Sequence, residues 1–192
     1  MRYLYLMLIP ALMLAGCKTP TDENTAGDAL KRDCCSTPGR TLEQMARTWN
    51  ITRDAGDYAD LLTWNYQFYF DPCIIIPIPP QTGYEIPQFW TWQEDVSATG
   101  NMFAQAYNIQ LDVLNAADFD DPDIPGEFYV ANNVLIQFYL WPENGDYYYF
   151  TTGPCDFEFM KVGDEWLISA WYDRTGGTES GQSIGELRFA YR

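Results

Sequence analysis

The side chains able to do chemistry in this sequence are five cysteines and a surplus of carboxylates, with no histidine. Without histidine there are no Ser-His or Cys-His nucleophilic pairs and no common proton shuttle at neutral pH, which argues against a hydrolase. Cys34, Cys35, Cys73 and Cys155 lack the Cys-x-x-Cys spacing of a zinc site, so disulfides in an oxidising compartment are the stronger reading. Four cysteines allow three pairings. A bridge between adjacent Cys34 and Cys35 would be strained, so each reaching a distant partner, or Cys73 with Cys155 alone, is expected. Asp118, Asp120, Asp121, Asp123 and Glu127 form an acidic stretch with oxygen ligands for calcium, but Pro122 and Pro125 interrupt it and the D-x-D-x-D-G spacing is missing. It reads as a solvated loop, and no metal site is expected. No glycine-rich phosphate loop or dinucleotide fingerprint occurs, so no cofactor is expected either.

Cys17 stands apart. Arg2 precedes a short apolar run, Leu4 to Leu14, broken by Pro10, and Leu14-Ala15-Gly16-Cys17 resembles the lipobox of bacterial lipoproteins. The run is shorter than the roughly 18 to 20 apolar residues that cross a bilayer. The resemblance implies cleavage before Cys17, a diacylglycerol on its thiol, and a membrane partner reached through that lipid. Lys18, in place of the aspartate linked with inner-membrane retention, implies by the same analogy the cell envelope, at the outer membrane and facing the periplasm. Three parts result: residues 1–16 as signal peptide, 17–36 as lipidated cysteine and flexible tether, and 37–192 as one folded domain. Cleavage removes Arg2 and no acid, so the formal charge of −16 becomes −17. Such a surface repels nucleic acid and anionic headgroups, so no nucleic-acid partner is expected.

With 47% hydrophobic and 17% aromatic residues the mature chain is long and apolar enough for one sizeable core. Thr37-Pro38 has the form of a helix start, and Leu42, Met45, Ala46 and Trp49 give the first helix one apolar face. Asp54 to Asp57 reads as a turn and cap before a short second helix carrying Tyr58, Leu61 and Leu62. Tyr66, Phe68 and Phe70 alternate as a strand ending at Asp71-Pro72. Prolines 77, 79, 80 and 87 make Ile74 to Pro87 a loop. Thr91 and Glu94 form a capping-box pattern for a third helix with Trp92, Val96, Met102 and Phe103, interrupted by Gly100. Strands follow: Ile109 to Val113, Glu127 to Leu140, then an Asn144-Gly145 turn, Asp146 to Met160, and Trp166 to Tyr172 after the turn at Val162 to Asp164. Ile184, Leu187, Phe189 and Tyr191 suit a last strand or a helical turn. The Tyr147 to Phe150 run is expected to send alternate rings inward and outward.

This order of elements resembles the nuclear-transport-factor-2-like superfamily. Thr52 to Tyr58 resembles the segment joining its first two helices, Phe68 to Pro72 its first strand, and Gly163 to Ile168 its penultimate turn and strand. The resemblance spans Thr37 to Asp173 and implies an α+β domain, a curved antiparallel sheet wrapped against three N-terminal helices. It further implies an apolar pocket open at one end of the cone, for which Trp49, Tyr66, Phe68, Phe70, Trp92, Phe103, Phe157 and Trp171 are the lining candidates.

Within that superfamily the ketosteroid isomerases carry a general-base aspartate, followed by proline, at the position of Asp71, and a protonated acid near that of Asp156. The resemblance therefore implies a catalytic pair, in an enzyme that is itself a standard example of pKa tuning. Trp49 replaces the tyrosine of their oxyanion hole, and its indole N–H is not acidic. Asp-Pro after a strand is also an ordinary turn opener. The expectation is a non-catalytic, membrane-anchored domain that binds an apolar small molecule or a protein partner. The alternatives are a cofactor-free isomerase, cyclase or dehydratase using Asp71, and a scaffold that forms a homodimer.

Overall fold

The computed structural model describes residues 34–73, 86–176 and 182–192. Cys17, the signal peptide, most of the tether and residues 74–85 of the proline-rich segment lie outside them. Two helices open the domain. In α1, Pro38–Arg47, Thr37 caps the start by accepting from the Arg40 N–H, and Leu42 and Met45 are buried. A π-helical turn, Thr48–Thr52, carries Trp49 into the core and ends at Arg53 in the left-handed region. Asp54 caps α2, Ala55–Ala59, through the Gly56 and Asp57 N–H groups.

The second helix stops sooner than expected, because Leu62 already belongs to β1, Leu62–Tyr69. A three-residue strand that alternation alone did not reveal, β2, Phe89–Thr91, pairs with it antiparallel. Thr91 and Glu94 complete the capping box of α3, Trp92–Gln105, which runs unbroken through Gly100. Then come β3, Asn108–Val113, β4, Phe128–Trp141, β5, Tyr149–Val162, and β6, Glu165–Asp173. Gly163, at φ 65°, opens the two-residue turn joining β5 to β6, the place in such a hairpin where glycine is favoured. The chain closes with a helix, α4, Ile184–Phe189, capped by Ser183 and Glu186.

The fold is α+β, one six-stranded sheet in the order β2-β1-β6-β5-β4-β3 with helices packed on it. All pairings are antiparallel except β1 with β6. The long strands send alternate residues inward: Val134, Ile136, Phe138 and Leu140 from β4, and Cys155, Phe157 and Phe159 from β5, are buried against α1 and α3 residues in one continuous core. The tyrosine run departs from alternation. Tyr147, Tyr148 and Tyr149 are all exposed, because β5 begins only at Tyr149 and the first two lie in the turn. Cys34 to Ser36, read as the end of the tether, dock on the domain: Cys35 is buried and its carbonyl accepts from the Trp166 N–H at 2.7 Å.

Candidate functional site

At the end of the sheet where β1 and β6 finish, a polar cradle binds the C-terminal segment. Both oxygens of buried Asp173 are engaged: Oδ1 accepts from the Thr175 N–H at 2.9 Å and the Thr175 hydroxyl at 2.5 Å, and Oδ2 from the Gly185 N–H at 2.8 Å. Burial raises the Asp173 carboxyl above its ordinary value, and these donors oppose the rise. Asp71, also buried, accepts from the Cys73 N–H at 2.7 Å and the Gly176 N–H at 2.8 Å. A side chain at Gly185 would lie 2.7 Å from the Phe70 ring, so only glycine lets α4 approach this closely.

From that anchorage α4 sends Arg188 into the middle of the cone. Its guanidinium lies 4.5 to 5.7 Å from the centroids of Phe68, Trp171, Trp49 and Trp90. It donates from Nη2 to Asp95 Oδ1 and, at 2.7 Å, to the Thr99 hydroxyl, while Asp95 Oδ2 accepts from the Tyr58 hydroxyl at 2.7 Å. Arg188 and Asp95 are wholly buried. Burial opposes the arginine charge, but the Asp95 carboxylate beside it outweighs that and holds the guanidinium firmly protonated. Burial, reinforced by the Asp95 charge, pushes both tyrosine hydroxyls well up. Burial also raises Asp95, with Arg188 and the Tyr58 hydrogen bond acting against it.

The rings expected to line an open pocket therefore close on one another and on Arg188. Trp49, Tyr66, Phe68, Phe103, Phe157 and Trp171 are buried in the core; Trp49 meets Tyr58, Phe103 and Phe138 edge-on, and Phe157 packs on Trp171 at 5.1 Å. Open space lies instead at the rim. A cavity of about 410 Å³ there is lined by Phe70, Tyr69, Tyr172, Pro72, Gln88 and Arg174, with Asp173 at its edge. Tyr69 and Tyr172 stack at 4.5 Å along one side. Trp92 faces a different hollow, beside β1.

The two carboxylates paired by the resemblance share no bonding partner. Asp156 lies on the opposite face of β5 from Cys155 and Phe157, its side chain 17% exposed, and binds the Asn133 N–H at 2.9 Å and Arg174 Nε at 2.6 Å. A bulge in β4, with Asn133 at φ 58°, supplies that N–H. The expected long-range disulfides do not form: the Cys34 and Cys35 sulfurs approach to 3.3 Å, Cys155 is buried in β5, and Cys73 is exposed beside Asp71. Among the described residues no cluster of cysteines and carboxylates could hold a metal ion.

Sequence reasoning missed Arg188, Asp95, Asp173 and Arg174. The available signals were an aspartate three residues after Trp92 on the buried side of a helix, and an arginine inside the apolar run Ile184 to Tyr191.

No family model and no curated protein matches the chain by sequence. Solved structures do resemble it. A conserved protein from Planctomyces limnophilus shares 11% identity over 78% of this chain and 94% of its own, with a TM-score of 0.53. A nuclear transport factor 2-like superfamily protein from Salmonella enterica serovar Typhimurium shares 14% over 73% and 92%, at 0.49. A cystatin-like-fold domain from Nostoc punctiforme shares 11% over 81% and 80%, at 0.46. At such identities the likeness is one of fold alone.

Replacing Asp173 by Asn keeps the size but turns an amide donor toward one of the N–H groups the carboxylate now accepts. Asp173→Asn is expected to lose about 1 to 3 kcal/mol in denaturant unfolding, the usual cost of a buried group left unpaired; an unchanged midpoint would show that the cradle does not hold α4.

Proposed function

We propose that this chain is a lipid-anchored envelope protein whose domain binds an apolar, ring-containing small molecule at the rim cavity and performs no chemistry on it. The observation that carries the reading is the lining of that cavity: aromatic faces of Phe70, Tyr69 and Tyr172 around about 410 Å³, a size usual for small-ligand sites. Three carboxylates at or near it, Asp71, Asp173 and Asp156, are already engaged by N–H or guanidinium donors, so none is poised to take a proton from a substrate. The lipid anchor rests on the Leu14-Ala15-Gly16-Cys17 pattern.

A second reading is favoured by a different observation. Phe128, Val130 and Leu135 are exposed on the outward side of β4, an apolar strip on which a second copy could pack. Self-association and rim binding are separable by experiment.

Thermal-shift screening against steroids, fatty acids and aromatic ketones should find a stabilising compound, with about 2.7 kcal/mol added at 100 times the dissociation constant. Tyr172→Ala, compared with its own ligand-free melting point, should lose that shift, and wild type should return the compound unchanged. If no compound stabilises the protein while its sedimentation rises with concentration, the self-association reading takes precedence.

The anchor is tested separately. Expressed in a diderm bacterium, the wild-type chain should fractionate with outer membranes and take up labelled palmitate. Cys17→Ser should do neither. Labelling that persists in Cys17→Ser would remove the lipoprotein reading.

A further inference from the structure

We propose that the hollow between β1, β2 and the first turn of α3 binds an uncharged oligosaccharide. It is a different site from the rim cavity, with no lining residue in common. Its most telling feature is Trp64, 89% exposed, more than any other large hydrophobic side chain among the described residues. Its place follows from the backbone. The register of β1 on β6 slips between Leu62 and Gln67, so the alternation of buried and exposed residues breaks and Trp64 and Asn65 are presented to solvent in succession. Irregularities of this kind re-aim side chains, and here the result is an indole set out in water beside a second one, Trp92.

The rest of the lining fits the same ligand class. The hollow encloses about 440 Å³, and around the two indoles stand the amides of Asn65, Gln67 and Gln93 and the hydroxyl of Thr91. A pyranose ring has an apolar face of C–H groups and an edge of hydroxyls. Indole faces pack on the first, and amides, each offering both donors and an acceptor, match the second. The Asn65 and Gln93 side chains have no hydrogen-bond partner among the described residues, and Gln67 uses only its oxygen, accepting from the Tyr69 hydroxyl at 2.5 Å.

Charge narrows the class further. No ionised side chain lines the hollow on a protein of formal charge −16. The nearest acid engaged with the lining is Glu94, whose carboxylate accepts from the Thr91 N–H at 2.9 Å and hydroxyl at 2.8 Å. An acidic sugar would meet this field with no cation in the lining to offset it, whereas a neutral one would not. A purely apolar ligand would leave three amides unanswered.

The test is calorimetric titration of the full chain with cellotriose, maltotriose and triacetylchitotriose at millimolar concentration. At least one should give a saturable isotherm, and Trp64→Ala should weaken it at least about tenfold, a loss of about 1.4 kcal/mol. Gln93→Ala, on the exposed side of α3, provides a second variant should Trp64→Ala fold poorly, and it should also weaken binding. Trp141→Ala, an aromatic truncation outside the hollow, should leave binding unchanged. Absence of saturable heat from all three sugars, or binding by folded Trp64→Ala or Gln93→Ala as tight as wild type, would overturn the assignment.

Discussion

The structure turns on a charge held where charges are costly. The Arg188 guanidinium sits at the centre of the cone with four aromatic rings around it and Asp95 as its counter-ion, both fully out of water. Desolvating such a pair costs several kcal/mol per ion, and the cost is offset only when geometry and hydrogen bonding are favourable. Here Thr99 and Tyr58 bond the two partners, Arg188 Nε and Nη1 have no hydrogen-bond partner among the described residues, and the four surrounding rings offset part of the cost, a desolvated cation–π contact contributing about 2 kcal/mol. Everything downstream follows from this placement. Asp173 and Asp71 fasten the segments leading to α4, Gly185 admits it, and the interior expected to hold a pocket is occupied by the chain's own rings and Arg188.

The larger hollows thereby lie at the periphery. The rim cavity takes its aromatic wall from two outward residues of β1 and β6, Tyr69 and Tyr172, and from one ring of the core, Phe70. The Tyr172 hydroxyl, pushed up to about 12 by burial and by its hydrogen bond to Glu158, stays neutral at physiological pH, so it adds no negative charge to that wall. The hollow beside β1 depends on a local irregularity, the register slip that exposes Trp64.

Much of the architecture was legible in the sequence because it rests on periodicity and caps. Leu42, Met45 and Trp49 marked the buried side of the first helix, Thr91 with Glu94 and Asp54 with its followers marked helix starts, and alternation marked the inward residues of β3, β4 and β5. The centre was not legible. An arginine and an aspartate ninety-three positions apart read as solvated surface until the fold brings them together. The strand β2 was too short to alternate visibly, and the β1 irregularity leaves no periodic trace. The surroundings of the candidate carboxylates were not legible for a related reason: strand position alone does not say whether a carboxylate meets a cavity, a backbone N–H or an arginine, and Asp71 and Asp156 meet the latter two.

The measurement that bears most directly on this account is a double-mutant cycle on the central pair, by denaturant unfolding of wild type, Asp95→Asn, Arg188→Met and the double variant. If Arg188 closes the cone on Asp95, each single change should cost about 3 to 5 kcal/mol, because it strands the other partner in a dry interior, and the double variant should recover a substantial part of the summed loss. Single variants within about 0.5 kcal/mol of wild type, with additive effects, would contradict it. They would mean that α4 does not seal the interior, and that the cone is open to a ligand after all.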